Sequence, residues 1–402
     1  MTIVETPTGQ RTLALVMATL GYGLNFWAWA LLSPLGPIYV KEGLASDAAL
    51  IVATPVLVGS LFRIPIGALT DRYGGRLMMP LISLITVIPV LFLGFIGQYT
   101  YVTLLIGGFF LGIAGTTFAI GMPYVNAWFP PEKRGLATGI YGAGMGGTAI
   151  SAFTTVRLYQ NVHHVAPFVL TAIVLVIYAV VAWFLMKNPP SWQPTKRSVT
   201  ASMTAAAKIP LTWQACYLYA VSFGGYVAFS VFLPTMLNRW YSLEIADASN
   251  RMAGFVIVAV LMRPTGGVLA DKIGPVKTLL IGYGAVIVAA GIIAFRPDLM
   301  WLGTSGYILM AAGLGLGTGA VFALVAIASD PSQVGSITGF VGAAGGLGGF
   351  VPPLLMAAIW NARGSYALGI GLLALATVGA VIVTLVIGRS AADRPAPEPA
   401  HA

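Results

Sequence analysis

Two arginines pose the first chemical question. Arg63 lies in Leu61-Phe-Arg-Ile-Pro-Ile66 and Arg263 in Leu261-Met-Arg-Pro-Thr265, each inside a long apolar stretch. Near the middle of a membrane helix an arginine costs about 2.5–3.5 kcal/mol on insertion scales, so it marks a partner or a ligand. The 12 acidic residues are Glu5, Glu42, Asp47, Asp71, Glu132, Glu244, Asp247, Asp271, Asp298, Asp330, Asp393 and Glu398. All of them fall at loops, segment ends or tails, and none stands at the depth of either arginine. A guanidinium stays protonated and presents a planar fork of donors. Two such groups without a carboxylate suit a small oxyanion held between them. The competing role is structural, with both arginines snorkelling or bonding only to backbone carbonyls.

The elements that must position them are membrane helices. Of the 402 residues 58% are hydrophobic and 8% charged, with a mean hydropathy of +0.88 and 49 glycines. Soluble proteins average about 25% charged residues. This balance excludes a soluble enzyme, a disordered chain and, despite the net charge of +9, a nucleic-acid binder. A lone cysteine, Cys216, excludes a disulfide framework, and three histidines (His163 and His164 adjacent) make a metal centre unexpected. With no nucleotide loop or nucleophilic triad, neither enzymatic chemistry nor a cofactor is expected.

A spanning helix needs about 20 apolar residues. Twelve segments of that kind run roughly over 14–38, 48–70, 77–97, 101–126, 136–158, 165–187, 213–238, 248–270, 276–295, 302–326, 334–358 and 364–388. The expected fold is therefore an all-α membrane protein of twelve transmembrane helices in two six-helix bundles, 1–187 and 213–390. A cytoplasmic linker over 188–212 joins them, and a disordered tail covers 391–402. Basic residues orient the chain. With both termini inside, 13 of the 21 lysines and arginines face the cytoplasm and six the outside, leaving only Arg63 and Arg263 within the helices.

A shift of 200 residues superposes the halves. Val58-Gly-Ser-Leu-Phe-Arg63-Ile-Pro-Ile-Gly67-Ala-Leu69-Thr-Asp71-Arg72-Tyr-Gly74 lies over Val258-Ala-Val-Leu-Met-Arg263-Pro-Thr-Gly-Gly267-Val-Leu269-Ala-Asp271-Lys272-Ile-Gly274. Gly135-Leu-Ala-Thr138-Gly139 lies over Gly335-Ser-Ile-Thr338-Gly339, Pro34 over Pro234 and Asp47 over Asp247. One register across three segments of each half indicates duplication. Glycine is dense in segments 4, 5, 10 and 11, where it permits close helix packing or bares backbone to a ligand. Aromatic clusters (Asn25-Phe26-Trp27-Ala-Trp29; Tyr217, Tyr219, Phe223, Tyr226, Phe229) suit packing or an interfacial belt, with one or two available to a planar ligand.

The motif Gly67-x-Leu69-x-Asp71-Arg72-x-Gly74-x-Arg76 and its half-copy at Gly267–Gly274 resemble the loop signature of the major facilitator superfamily. That resemblance implies two pseudo-symmetric bundles rocking about a midplane site. It also implies a conformational latch formed by Gly67, Asp71, Arg72, Arg76, Asp271 and Lys272. Within the superfamily the chain resembles the short bacterial nitrate/nitrite porters. The resembling stretches are Phe62-Arg63-Ile-Pro, Met262-Arg263-Pro-Thr-Gly-Gly, Gly115-Thr-Thr-Phe118-Ala, Asn126-Ala-Trp-Phe-Pro130 and Gly339–Gly349. The resemblance implies that Arg63 and Arg263 bind the anion and that Phe118, Tyr219 and Phe223 sandwich it. The glycine-rich signatures carry Gly142, Gly146, Gly342 and Gly345. The chain departs from the family where an asparagine on the fifth segment is expected and Gly146 stands.

These readings lead to an inner-membrane transporter, expected to be a monomer in the lipid bilayer, that carries nitrate or nitrite by exchange or by symport with protons. The alternative is exchange of another small anion such as formate or oxalate. A receptor lacks any soluble signalling domain in this sequence, and a proton-driven cation exporter would be expected to carry an intramembrane acid.

Overall fold

The computed structural model describes residues 8–190, 192–194, 199–328 and 334–392, and these are helical almost throughout. The first half runs α1 (Thr8–Trp29), α2 (Leu32–Lys41), α3 (Ala49–Leu61), α4 (Arg63–Tyr73), α5 (Gly75–Phe95), α6 (Tyr101–Leu111), α7 (Thr117–Trp128), α8 (Pro131–Gly142), α9 (Gly147–Asn161) and α10 (Ala166–Leu185). After α11 (Val199–Ala207), a helix inside the expected linker, the second half runs α12 (Pro210–Tyr219), α13 (Gly225–Tyr241), α14 (Ile245–Ile273), α15 (Pro275–Ala294), α16 (Leu302–Ala328), α17 (Val334–Arg363) and α18 (Ala367–Ala392). The helix α18 enters the expected tail, of which 393–402 lie outside the described residues.

Several rods are built from consecutive pieces: α1 with α2, α3 with α4, α6 with α7, α8 with α9, and α12 with α13. Counted this way twelve rods follow one another, as the sequence suggests. Among the described residues ten runs are long and apolar enough to cross a membrane, and the α3–α4 pair, bent by 41°, makes eleven. The rod of α8 and α9 falls short because its glycine-rich first part is followed by Thr148, Ser151, Thr154, Thr155 and Arg157. The bend has a local cause. Pro65 cannot donate to the carbonyl four residues back and its ring crowds it. That carbonyl belongs to Leu61, the last residue of α3.

The duplication is visible in the backbone. The helices α4 and α14 end at Tyr73 and Ile273, and α5 and α15 begin at Gly75 and Pro275. Between them Gly74 (φ 82, ψ 152) and Gly274 (φ 90, ψ 146) adopt a conformation that side chains resist. Burial follows the same symmetry. The first and seventh rods (Gly9–Lys41 and Pro210–Tyr241) have 72% and 89% of their apolar window buried, whereas α10 and α18 have 39% and 28%. The outer helices instead expose Ile173, Ile177, Val180 and Phe184, or Leu375, Ile382 and Val386. Such stripes suit lipid, where apolar burial does not drive helices together and close packing of small residues does. At Gly319 a side chain would strike the Arg263 carbonyl, so glycine there lets α16 pack directly on the backbone of α14.

Candidate functional site

The helices lose regular geometry where the two halves meet. A 3-10 turn over Gly112–Thr116 separates α6 from α7, and another over Ala143–Gly146 separates α8 from α9. A π-turn over Ala220–Gly224 separates α12 from α13. Interruptions of this kind recur at functional sites because they redirect side chains and free carbonyls. Phe118 starts just past the first turn, Met145 lies in the second and Phe223 in the third. Arg63 opens α4 at the proline bend.

Arg63 and Arg263 are buried, 6% and 4% exposed. Among the described residues neither pairs with a carboxylate. Arg63 donates from Nε to the Gly115 carbonyl (3.2 Å), which the 3-10 turn presents, and from Nη1 across the interface to the Gly342 carbonyl of α17 (2.8 Å). Arg263 reaches the other way, placing Nη1 3.2 Å from the Met145 thioether of the first half. Both cations lie over the same two rings. Arg63 Cζ is 5.1 Å from the Phe118 centroid and 5.6 Å from that of Phe223, and Arg263 Cζ is 5.6 and 5.9 Å from them. Cation–π attraction of this kind contributes about 1–2 kcal/mol when desolvated, too little to offset two buried charges.

Phe118 and Phe223 come from opposite halves and stack with centroids 6.1 Å apart at 27°, while Tyr219 stacks on Phe223 at 5.0 Å and 5°. A planar ion lying face-on between two rings needs about 7 Å, twice a carbon contact distance of ~3.5 Å. In this conformation an ion held between Phe118 and Phe223 therefore sits off-centre, or the rings part by about 1 Å.

The glycines divide. A Cβ on Gly142 would meet the Arg263 guanidinium at 2.8 Å, and one on Gly345 would strike the Tyr219 ring. Gly342 supplies the carbonyl to Arg63 and faces Phe118 at 3.5 Å. Gly146 faces Val260 at 3.8 Å and touches neither arginine. The side chain that this segment does bring to the site is Met145, which sequence reasoning missed, along with Tyr22 of α1 and Gly346, whose Cβ would meet Arg63 Nη1 at 3.1 Å. The Tyr22 ring contacts Phe118 (5.9 Å) and stacks on Tyr141 (4.9 Å). The aromatic run around it reads as packing, so only the fold reveals its place.

The ends of the molecule differ. Asp71, Arg72, Arg76, Asp271 and Lys272 are exposed and, among the described residues, make no ion pair, while Gly67 is half-buried against Ala119. At the opposite end the halves are joined. Arg239 Nη1 lies 2.6 Å from Asp47 Oδ2, and Ser33 Oγ donates to the Val231 carbonyl at 2.6 Å. The repeat does not duplicate this ion pair. Tyr39 stands where the first half would need an arginine, and Asp247 pairs within α14 with Arg251 (3.1 Å).

Fold and site together define a polytopic α-helical membrane protein of two repeated halves that close around a buried dicationic centre. The chain belongs to the Major Facilitator Superfamily, whose family model matches residues 18–353 and 216–402. It is 42% identical over 379 residues (93% of this chain, 96% of the relative) to the probable nitrate/nitrite transporter NarK2 of Mycobacterium tuberculosis. It is 36% identical over 383 residues (94% of each) to the nitrite extrusion protein of Bacillus subtilis. A third relative, the probable nitrate transporter NarT of Staphylococcus epidermidis, is 33% identical over 374 residues (92% and 95%). Among solved structures, a bacterial homologue of the human lysosomal transporter Spinster in an inward-facing, occupied conformation matches 98% of this chain and 100% of its own, with TM-score 0.68 and 20% identity. At that identity the likeness speaks for the fold alone.

Proposed function

We propose that this chain transports nitrate and nitrite across the cytoplasmic membrane by alternating access, with the anion clamped between Arg63 and Arg263. The observation that carries the reading is the pair of buried guanidiniums from opposite halves, sharing Phe118 and Phe223 and lacking a described carboxylate partner. The substrates named for the relatives, nitrate and nitrite, are small planar or bent oxyanions that suit such a pair.

Exchange follows from the charges. Two cations that flank a shared anion at about 4 Å each lie up to about 8 Å apart and repel by roughly 2 kcal/mol at an effective dielectric near 20, whereas the anion gains ~4 kcal/mol per contact. Closing the halves is therefore unfavourable when the site is empty and favourable when it is filled. An empty carrier reorients slowly, and a filled one exchanges its anion across the membrane. The bias of lysine and arginine favours both termini in the cytoplasm. The end carrying Asp71 and Asp271 is then cytoplasmic, and the outer end is the one tied by Asp47 and Arg239.

Proteoliposomes test the coupling. Vesicles loaded with nitrate should take up labelled nitrite without a pH gradient, with formate, oxalate and chloride as competitors. Strong nitrate uptake into anion-free vesicles driven by a pH gradient alone would overturn exchange in favour of proton symport. Stronger competition by formate or oxalate than by nitrate would overturn the substrate.

A further inference from the structure

We propose that Tyr22 is a substrate-contacting residue, its phenol hydroxyl donating a hydrogen bond to the bound oxyanion beside Arg263. This rests on the reading of the centre as an anion site.

The hydroxyl of Tyr22 is fully buried and makes no hydrogen bond of normal geometry. Most buried polar atoms find a partner, and an exception calls for an explanation. The neighbouring tyrosines show the usual solution: Tyr141 donates to the Thr117 carbonyl (2.8 Å), Tyr226 to that of Met145 (3.3 Å) and Tyr283 to that of Leu218 (2.9 Å). Tyr22 and Tyr219 alone of this inner group donate their hydroxyls to no protein acceptor, and the guanidiniums beside both are those of Arg263 and Arg63, which can only donate.

The Tyr22 ring is fixed, so its hydroxyl is not a mobile group awaiting water. Phe26 meets it edge-on at 4.4 Å and Tyr141 stacks at 4.9 Å. On another side Gly144 comes so close that a Cβ there would meet Tyr22 Cδ1 at 2.5 Å. The surroundings of Arg263 are short of acceptors. Guanidinium only donates, phenol donates most readily, and the thioether of Met145 is a weak acceptor. The 3-10 turn of the fifth rod adds Gly144 and Gly146, which carry no side-chain donor. The component missing from a ring of donors is an acceptor-only group, and nitrate and nitrite are of that kind. Tyr22 thereby supplies from the first rod a neutral donor that the fifth rod lacks.

The test uses purified, detergent-solubilised full chain as wild type, Tyr22→Phe and Tyr141→Phe. Nitrate and nitrite affinities are read by ligand-dependent thermal shift and intrinsic tryptophan fluorescence. A hydrogen bond from a buried donor to a charged group corresponds to about tenfold to hundredfold in affinity. Tyr22→Phe should weaken nitrate binding by at least about tenfold while its anion-free melting temperature stays at or above that of wild type, since the removed hydroxyl donated to no protein acceptor. Tyr141→Phe should lower the anion-free melting temperature and leave affinity near wild type. Unchanged nitrate affinity in Tyr22→Phe overturns the proposal, as does a lowered anion-free melting temperature in that variant, which marks a structural hydroxyl. If wild type itself binds neither anion, the reading of the site fails and Tyr22 falls with it. That result is distinct from wild type and Tyr22→Phe binding equally well.

Discussion

Replacing Gly142 by alanine places a methyl group 2.8 Å from Arg263 Nε and 3.1 Å from its Cδ and Cζ. Ordinary contact is about 3.5 Å, so the guanidinium must withdraw by roughly 0.7 Å or the fifth rod must yield. Overpacking of this kind costs about 1–3 kcal/mol. Because the strain falls on the guanidinium, most of that cost appears in anion binding, as a fivefold to hundredfold rise in KM. Gly146, four residues on in the same sequence run, is the internal control. Its added methyl would lie 3.8 Å from Val260 in ordinary contact, and the expected change is within twofold. The assay is nitrate counterflow in proteoliposomes at matched protein density, with melting temperature measured on the same preparations. If Gly146→Ala raises KM and Gly142→Ala does not, the placement of Arg263 against the fifth rod is wrong.

Further outcomes are expected. Gly274→Ala meets open space but must hold φ 90, so about 1–3 kcal/mol of stability should be lost to the backbone alone, read as a lower melting temperature; Gly74→Ala should lose more, since Asn188 lies 2.3 Å from the added carbon. Asp47→Arg and Arg239→Asp should each destabilise the closed end that this pair ties, by roughly 1–3 kcal/mol for side chains only 16% and 17% exposed, and the double exchange should restore it. Cross-linking of cysteines introduced at the outer ends of the two halves reads that equilibrium, and failure of the double variant to recover would refute the pairing. Ser33→Ala removes the second outer tie, to the Val231 carbonyl, and should lower the cross-linking yield without changing nitrate KM.

Much of this architecture was legible in the residues because duplication left its mark at fixed spacing. The 200-residue register places Gly74 over Gly274, and both take the same positive φ. The cost of a buried cation made Arg63 and Arg263 conspicuous, and both are buried. What escaped sequence reading depends on where a rod loses α geometry. Met145 and Gly146 are adjacent, and the 3-10 turn decides which of them faces Arg263. Tyr22 stands just before an aromatic run whose composition suits packing, and what sets it apart is that the fold brings it against Phe118 with no protein acceptor for its hydroxyl. Arg239 and Asp47 read as topological loop charges, since nothing in their spacing says that the two halves meet there. The polar fifth rod shows the limit of hydropathy, because a helix that packs its polar and small residues on protein need expose only a narrow apolar stripe, here Leu136, Ile140, Ile150 and Phe153.

The central claim is that paired arginine forks, not merely paired positive charges, hold the anion. Lysine keeps the charge at either position but offers a point donor in place of the planar fork. The direct measurement is nitrate counterflow in proteoliposomes for Arg63→Lys, Arg263→Lys and the double variant, at protein densities matched to wild type. Loss of fork hydrogen bonds to a charged ligand predicts at least about a tenfold decrease in each single variant, and no detectable counterflow in the double variant. Nitrate counterflow at the wild-type rate with lysine at both positions would contradict the account.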